Sequence, residues 1–277
     1  SALRTAIICA MFAMIEVLIK NNIFLAPHED LEDILRHMTR RERQQLRDLF
    51  LKFSPHIFTD TMMTLMRNCH FGPDGRNHHD YMSFACKAFH VLLENPLTAI
   101  ILDIVAATRD FTIVFDFNRE WLDFVVPTTE PFTNGICYLS GKIYVAAKDM
   151  LVPERAIEII SVMVHELCHY ALYLVYSNMA KPYSEKDKKS KEIFTRISED
   201  CELQKDEEEI VGLVYDCYDE EMHHAELAVR PAQMITFYHG KPELDTRRLA
   251  YPNLFTDYEH RIIPEMQRAL PGIKDKF

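Results

Sequence analysis

The sequence predicts an α+β fold that is mostly helical, on the basis of three observations. Only 7 of the 277 residues are glycine, which disfavours folds with many tight turns and favours long helices. Apolar residues recur at helical spacing through residues 1–93. Three short segments between residues 111 and 147 are rich in β-branched and aromatic side chains, as strands are.

Residues 1–95 are predicted to form a helical N-terminal region without strands, and this region is a candidate surface for a protein partner. Its apolar first segment is too short to span a bilayer and is interrupted by Glu16, so we expect a buried helix and not a signal sequence. Thr39 precedes Glu42 by three residues, the spacing of a capping box. The predicted helices are Leu3–Lys20, Asp30–Met38, Arg41–Phe53, Thr59–Cys69 and Tyr81–Leu93.

Asn95-Pro96 marks a predicted boundary, and residues 96–277 form the second predicted domain. Ser140-Gly141-Lys142 is typical of a hairpin turn between two strands. Pro153 fits the first turn of a long apolar helix, which should be central and buried. The predicted strands are 111–117, 136–139 and 143–147, and the predicted helices are 97–108, 153–177, 210–218, 220–238 and, in the proline-punctuated tail, 257–269.

Charge and cysteine content narrow the class of function. The net charge of −11 has the wrong sign for a protein that follows nucleic-acid phosphates. We therefore expect no nucleic-acid partner, and we expect no membrane partner either. The seven cysteines are odd in number and form no CxxC pair, so we expect a reducing, cytoplasmic location and no disulfide framework.

The long apolar helix contains His165-Glu166-Leu167-Cys168-His169, an HExxH sequence. Histidines at i and i+4 lie on one face of a helix, so both imidazoles can bind one zinc ion. Glu166 would lie beside the ion, where it can accept a proton from water. Burying these polar groups in an apolar helix without a shared partner would cost several kcal/mol. We therefore predict one Zn²⁺ per chain with Glu166 as general base, and a core position for Cys168.

With this motif, residues 97–240 resemble the zincins, a group of zinc metallopeptidases. The resemblance implies a zincin-like catalytic domain with a small twisted sheet over the active-site helix. It also implies that the hairpin NGICYLSGKIYV at residues 134–145 provides an edge strand that binds the substrate backbone by strand addition. We place this strand at Ile143, Tyr144, Val145 and Ala146.

The third zinc ligand must come from elsewhere, because Leu172 and Val175 replace the glycine and the third histidine of the motif HExxHxxGxxH. The thermolysin- and neprilysin-like group, the gluzincins, uses a glutamate on a second helix, and this resemblance points to Glu226. His223 and Arg230 share a helix face with Glu226 and could orient it, or His223 could bind the metal itself. The rival ligands that the sequence leaves open are His223, His224, Glu220 and Glu192.

The resemblance further implies a tyrosine or histidine that stabilises the oxyanion, and the candidates are Tyr238, His239, Tyr258 and His260. The predicted function is a zinc peptidase that hydrolyses a peptide or protein substrate. The alternative is an inactive zincin-like module for binding or assembly. A fourth protein ligand would favour that alternative, because structural zinc sites are closed. A DNA-associated zinc protease is disfavoured by the acidic composition.

Overall fold

The computed structural model describes residues 2–20, 38–53, 59–72, 78–119, 122, 134–178, 214, 216, 218 and 223–277. Within these ranges the chain is mostly helical with one small sheet, which confirms the predicted α+β class. The strands are β1 (Cys69–Phe71), β2 (Thr112–Asp116), β3 (Gly135–Cys137) and β4 (Lys142–Ala146). The α-helices are α1 (Ala2–Ile8), α2 (Phe12–Lys20), α3 (Arg40–Phe53), α4 (Asp60–Arg67), α5 (His78–Glu94), α6 (Pro96–Thr108), α7 (Pro153–Asn178), α8 (His223–Phe237), α9 (Glu243–Ala250), α10 (Pro252–Asp257) and α11 (Ile263–Lys276).

The N-terminal apolar segment forms two helices, so the prediction of a single helix at Leu3–Lys20 was wrong. Ala10 has a positive φ of 50°, which ends α1. The N–H of Met11 donates to the carbonyl of Ala6 at 2.9 Å, and the N–H of Ala10 donates to Ile7 at 3.0 Å. These two bonds form a Schellman end, after which α2 packs against α1. The helix predicted at residues 30–38 lies, except for Met38, outside the described residues.

The capping box at the start of α3 is confirmed. The N–H of Thr39 donates to Oε2 of Glu42 at 2.7 Å, and the N–H of Glu42 donates to Oγ1 of Thr39 at 3.3 Å. The next predicted helix, Thr59–Cys69, ends at Arg67 instead, and Cys69–Phe71 forms β1. The prediction that residues 1–95 contain no strand was therefore wrong. β1 is held by parallel pairing with β2, a contact between distant segments that three residues of local sequence cannot reveal.

The sheet is mixed, with the strand order β1-β2-β4-β3. β4 pairs in parallel with β2, where Ile143 lies opposite Ile113, and antiparallel with β3, where Tyr144 lies opposite Ile136. The predicted substrate strand Ile143–Ala146 is therefore an internal strand, and its prediction as an edge was wrong. Its alternation of buried and half-buried residues is the same for an edge strand as for an internal one. Among the described strands, the antiparallel edge is β3.

Helix α7 is the central element, as predicted, and packs against α6, α8, α11 and the β3–β4 hairpin. Leu167, Cys168 and Ala171 are fully buried, which confirms the core position of Cys168. The stretch Pro153–Ser177 is long and apolar enough to cross a membrane, and α5 with α6 would pass the same test only as a pair bent by 119°. Because 89% of the α7 window is buried inside the protein, we interpret α7 as a core helix.

The C-terminal tail contains more helix than the single segment predicted at residues 257–269. α9, α10 and α11 follow one another, with a π-helical turn at Tyr258–Ile262 before α11. Pro252 lies in the first turn of α10, where the missing N–H has no helical partner to lose. Pro264 follows directly on the π-helical turn, and Pro271 lies inside α11. The prolines of the tail therefore do not end the helical segments in which they lie. The division of the chain at residue 95 stays a prediction.

Candidate metal centre

Three buried side chains from two helices converge on one point. His165 and His169 lie one turn apart on α7, and their Nε2 atoms are 3.1 Å apart. Glu226 of α8 places Oε2 at 3.2 Å from Nε2 of His165 and Oε1 at 3.1 Å from Nε2 of His169. Each of the three residues is at most 9% exposed. The group could hold a metal ion.

The spacing of these atoms fits a small tetrahedral ion. Zinc binds histidine nitrogen and carboxylate oxygen at about 2.0–2.2 Å, so two ligand atoms on a tetrahedral ion lie about 3.3 Å from each other. The three separations of 3.1, 3.2 and 3.1 Å are close to this value. Two imidazoles and one carboxylate are also a ligand set that catalytic zinc sites use. The residues therefore fit the predicted zinc ion, although other ions with the same preferences would fit as well.

The electrostatics of His165 and Glu226 match the protonation states that metal binding needs, whereas those of His169 favour its protonated form until an ion binds. Burial lowers the pKa of His165 to about 4, against the attraction of the Glu226 carboxylate. Burial opposes ionisation of Glu226, yet His169 and His165 hold its pKa well below the usual range. Burial also acts to lower the pKa of His169, but the Glu226 and Glu166 carboxylates outweigh it and raise that pKa. A neutral His165 and an anionic Glu226 are both ready to act as ligands.

Arg230 lies between the carboxylate of Glu226 and the hydroxyl of Tyr218. Nη2 of Arg230, one turn further along α8, lies 3.4 Å from Oε2 of Glu226 and 3.3 Å from the Tyr218 hydroxyl. Nη1 of Arg230 donates to Gln233 at 2.9 Å. Arg230 therefore lies on the helix face that the sequence predicted, where its guanidinium contacts the carboxylate of Glu226.

Of the other candidate ligands, only the side chain of His223 is among the described residues, and it does not belong to this group. The imidazole Nε2 of His223 lies 2.7 Å from the carbonyl oxygen of Tyr218, so this side chain is directed at the chain leading into α8. Glu192, Glu220 and the side chain of His224 lie outside the described residues. Within the described part of the chain, the metal-binding group consists of His165, His169 and Glu226.

Glu166 lies next to the metal-binding group and against strand β3. Burial raises its pKa to about 7, despite the opposing effect of His169. A methyl group added to Gly135 would lie 2.8 Å from Cγ and Oε1 of Glu166 and 2.7 Å from Cγ1 of Val162. Such distances are steric clashes, so only glycine lets β3 approach α7 this closely. The edge strand and the predicted general base therefore lie in contact.

The four predicted oxyanion residues lie elsewhere. Tyr258 is fully buried in the core, and its hydroxyl donates to the carbonyl of Leu97 at 2.7 Å. The Tyr238 ring lies 5.4 Å from the guanidinium carbon of Arg247. His239 lines a separate cavity, and His260 is exposed on the π-helical turn.

Tyr218 is the phenol that the structure brings to the site, and the sequence analysis missed it. Tyr218 is 37% exposed, yet partial desolvation and the charges of Glu226 and Glu166 raise its pKa to about 12, so the hydroxyl keeps its proton. The sequence analysis considered only residues after α8, whereas Tyr218 precedes Glu226 by eight positions. An aromatic hydrogen-bond donor just ahead of the glutamate helix was the signal that could have identified it.

Comparison of the chain with family models, with curated proteins and with solved structures found no match. The site is therefore interpreted from its own residues.

Proposed function

We propose that this chain is a zinc-dependent peptidase of the zincin type with a gluzincin-like ligand set. The observation that supports the proposal best is the buried triangle of His165, His169 and Glu226 with Glu166 directly beside it. A purely structural site has no use for a buried carboxylate next to its ligands. Such a site would also be closed by a fourth protein ligand, whereas the group in the described residues has three.

His165, His169 and Glu226 would hold the zinc ion in this proposal. A bound zinc ion would polarise the scissile carbonyl and make a nearby water molecule more acidic. Glu166 accepts a proton from that water as the water oxygen bonds to the carbonyl carbon. It then gives the proton to the amine as the C–N bond breaks. Arg230 keeps the carboxylate of Glu226 oriented, and the neutral phenol of Tyr218 is the hydrogen-bond donor for the developing oxyanion.

Strand β3 is the element that would bind the substrate backbone. It is the antiparallel edge among the described strands, and an edge strand offers N–H and C=O groups to an extended peptide. Gly135 places this edge in contact with Glu166, so a peptide paired with β3 would run past the general base. This arrangement favours a peptide or protein substrate over a compact small molecule.

The proposal is tested by metal content and peptide cleavage together. We expect about one zinc per chain by elemental analysis, lost in His165→Ala and in His169→Ala but retained in His70→Ala, an exposed histidine on β1. We expect the purified chain to cleave members of a peptide library, with activity removed by a chelator and restored by zinc.

Equal zinc in all four proteins would reject the metal site. Stoichiometric zinc on His165 and His169 without cleavage of any peptide would reject the peptidase and favour the structural-zinc module.

A further inference from the structure

We propose a second ligand site, separate from the metal centre, that binds a small amphipathic carboxylate such as a medium-chain fatty acid. The site is a cavity of about 400 Å³ between α5, α6, α7 and α8. This volume is within the range of small-molecule sites, which are mostly apolar with a few polar groups. Its walls are formed by Phe84, Lys87, Ala88, Val91, Leu92, Asn95, Thr98, Pro153, Ala156, Ile157, Ile160, Ile235, Thr236 and His239.

The cavity lies on the face of α7 opposite the metal-binding histidines. At about 100° per residue, Ile160 is rotated about 140° from His165, and Ala156 about 180°. Ile160 also lies about 7 Å and Ala156 about 13 Å before His165 along the helix axis. The body of α7 therefore separates the two sites, and a ligand in the cavity would not contact the metal-binding group.

The interior walls present an apolar surface, although Asn95, Thr98 and Thr236 are uncharged polar residues among the lining. The hydroxyl of Thr98 donates to the carbonyl of Leu92 at 2.6 Å, and that of Thr236 donates to Ala232 at 2.8 Å. The side-chain oxygen of Asn95 accepts the N–H of Leu97 at 3.0 Å. These oxygen atoms already have hydrogen-bond partners in the protein, so the body of a ligand would contact mainly aliphatic and aromatic carbon.

The charge of the lining selects an anionic head group. The chain as a whole carries 42 acidic and 31 basic residues, yet none of the lining residues is acidic. Lys87 and His239 are both exposed and therefore mark where the cavity opens to solvent. An alkyl chain would occupy the interior while its carboxylate meets Lys87 and His239 at the opening.

Calorimetric titration of the full chain with three ligands that share a ten-carbon chain tests the head group. Decanoate is expected to bind at about one per chain, decanol about two- to fivefold more weakly, and decyltrimethylammonium more weakly still, since an exposed charge pair contributes modestly. The apolar body predicts a negative heat-capacity change on binding. Absence of decanoate binding, or equally tight binding of the cation, would overturn the proposal.

Substitutions in the cavity wall test whether decanoate binds in the cavity. Ala156→Trp, at a half-buried position on the wall, is expected to weaken decanoate binding at least tenfold. Lys87→Gln should weaken decanoate binding about two- to fivefold without affecting decanol. Lys148→Gln, an exposed lysine outside the cavity, is the matched control and should change neither.

Circular dichroism of each variant reports whether the fold is intact. If Ala156→Trp does not fold, the Lys87→Gln and Lys148→Gln pair decides the outcome. Decanoate binding that neither Ala156→Trp nor Lys87→Gln alters would place the ligand elsewhere and overturn the proposal. Binding requires neither zinc nor hydrolysis, so this test stands or fails independently of the peptidase.

Discussion

The two faces of helix α7 differ in what they bury. On one face, His165, Glu166 and His169 are buried. On the other, the aliphatic side chain of Ile160 is only half-buried and borders a cavity. Burial energetics alone place apolar groups inside and leave ionisable groups outside. The buried polar face of α7 departs from this rule, whereas a half-buried apolar side chain does not.

The two faces of α7 differ in whether other residues of the protein contact and compensate them. The buried polar face is compensated from within the protein, because Glu226 of α8 contacts both histidines and Arg230 contacts Glu226. On the apolar face, the side chains that line the cavity leave part of its apolar surface uncovered. One helix can therefore border a polar cluster and an apolar cavity, which suit ligands of opposite chemistry.

Removal of the carboxylate is expected to have the largest effect on the polar face. Glu226→Ala deletes one of three metal ligands, so zinc affinity should fall by more than the roughly 100-fold that loss of an outer hydrogen-bond partner causes. Competition with a chromophoric chelator measures this change. Glu243→Ala, an exposed glutamate on α9, should leave the affinity unchanged. A small effect at Glu226 would mean that the third ligand lies elsewhere.

The general base is tested by Glu166→Gln. Glutamine has nearly the same shape but cannot accept the proton, so kcat should fall about 10²–10⁴-fold while zinc content stays the same. Glu158→Gln, on the exposed side of the same helix, is the matched control and should keep wild-type kcat. A Glu166→Gln enzyme that turns over at near wild-type rate would refute the assignment.

The phenol is tested by comparing two tyrosines. Tyr218→Phe should lower kcat about 10²-fold with little change in zinc affinity, because it removes one donor to the oxyanion. Tyr238→Phe should keep kcat within about twofold, since its ring contacts Arg247 away from the metal centre. Steady-state kinetics on one peptide substrate measure both variants. The reverse order of effects would restore the sequence-based choice and exclude Tyr218.

The smallest expected effect comes from a steric clash introduced at Gly135. Gly135→Ala forces a methyl group against Glu166 and Val162, which should destabilise the fold by about 1–3 kcal/mol and also lower kcat by displacing Glu166. Gly240→Ala meets no neighbouring atom but has a φ of +68°, so it should cost about 1 kcal/mol from backbone strain alone and leave kcat unchanged. Urea unfolding monitored by circular dichroism gives both free energies. Unchanged stability and kcat in Gly135→Ala would show that β3 does not press on Glu166.

Most helices could be predicted because their signals are local. The periodicity of α3, α6 and α7 and the capping box at Thr39 and Glu42 depend on residues within a few positions of one another. The predictions of secondary structure that were wrong depend on features that local sequence patterns do not show. A left-handed Ala10 divides α1 from α2, and β1 exists only because β2 lies beside it. Helices α10 and α11 accommodate prolines that the sequence analysis treated as interruptions.

Helical spacing alone places His165 and His169 on one face of a buried helix with Glu166 next to them, because that spacing follows from backbone geometry. The family resemblance pointed to Glu226, but only the tertiary structure brought that carboxylate to the two imidazoles, through the packing of α8 on α7. Strand order, the edge position of β3, the place of Tyr218 and the cavity behind α7 were likewise decided by tertiary contacts. The reason is physical: each depends on which distant segments pair or pack, and apolar patterning specifies that a face is buried without specifying its partner.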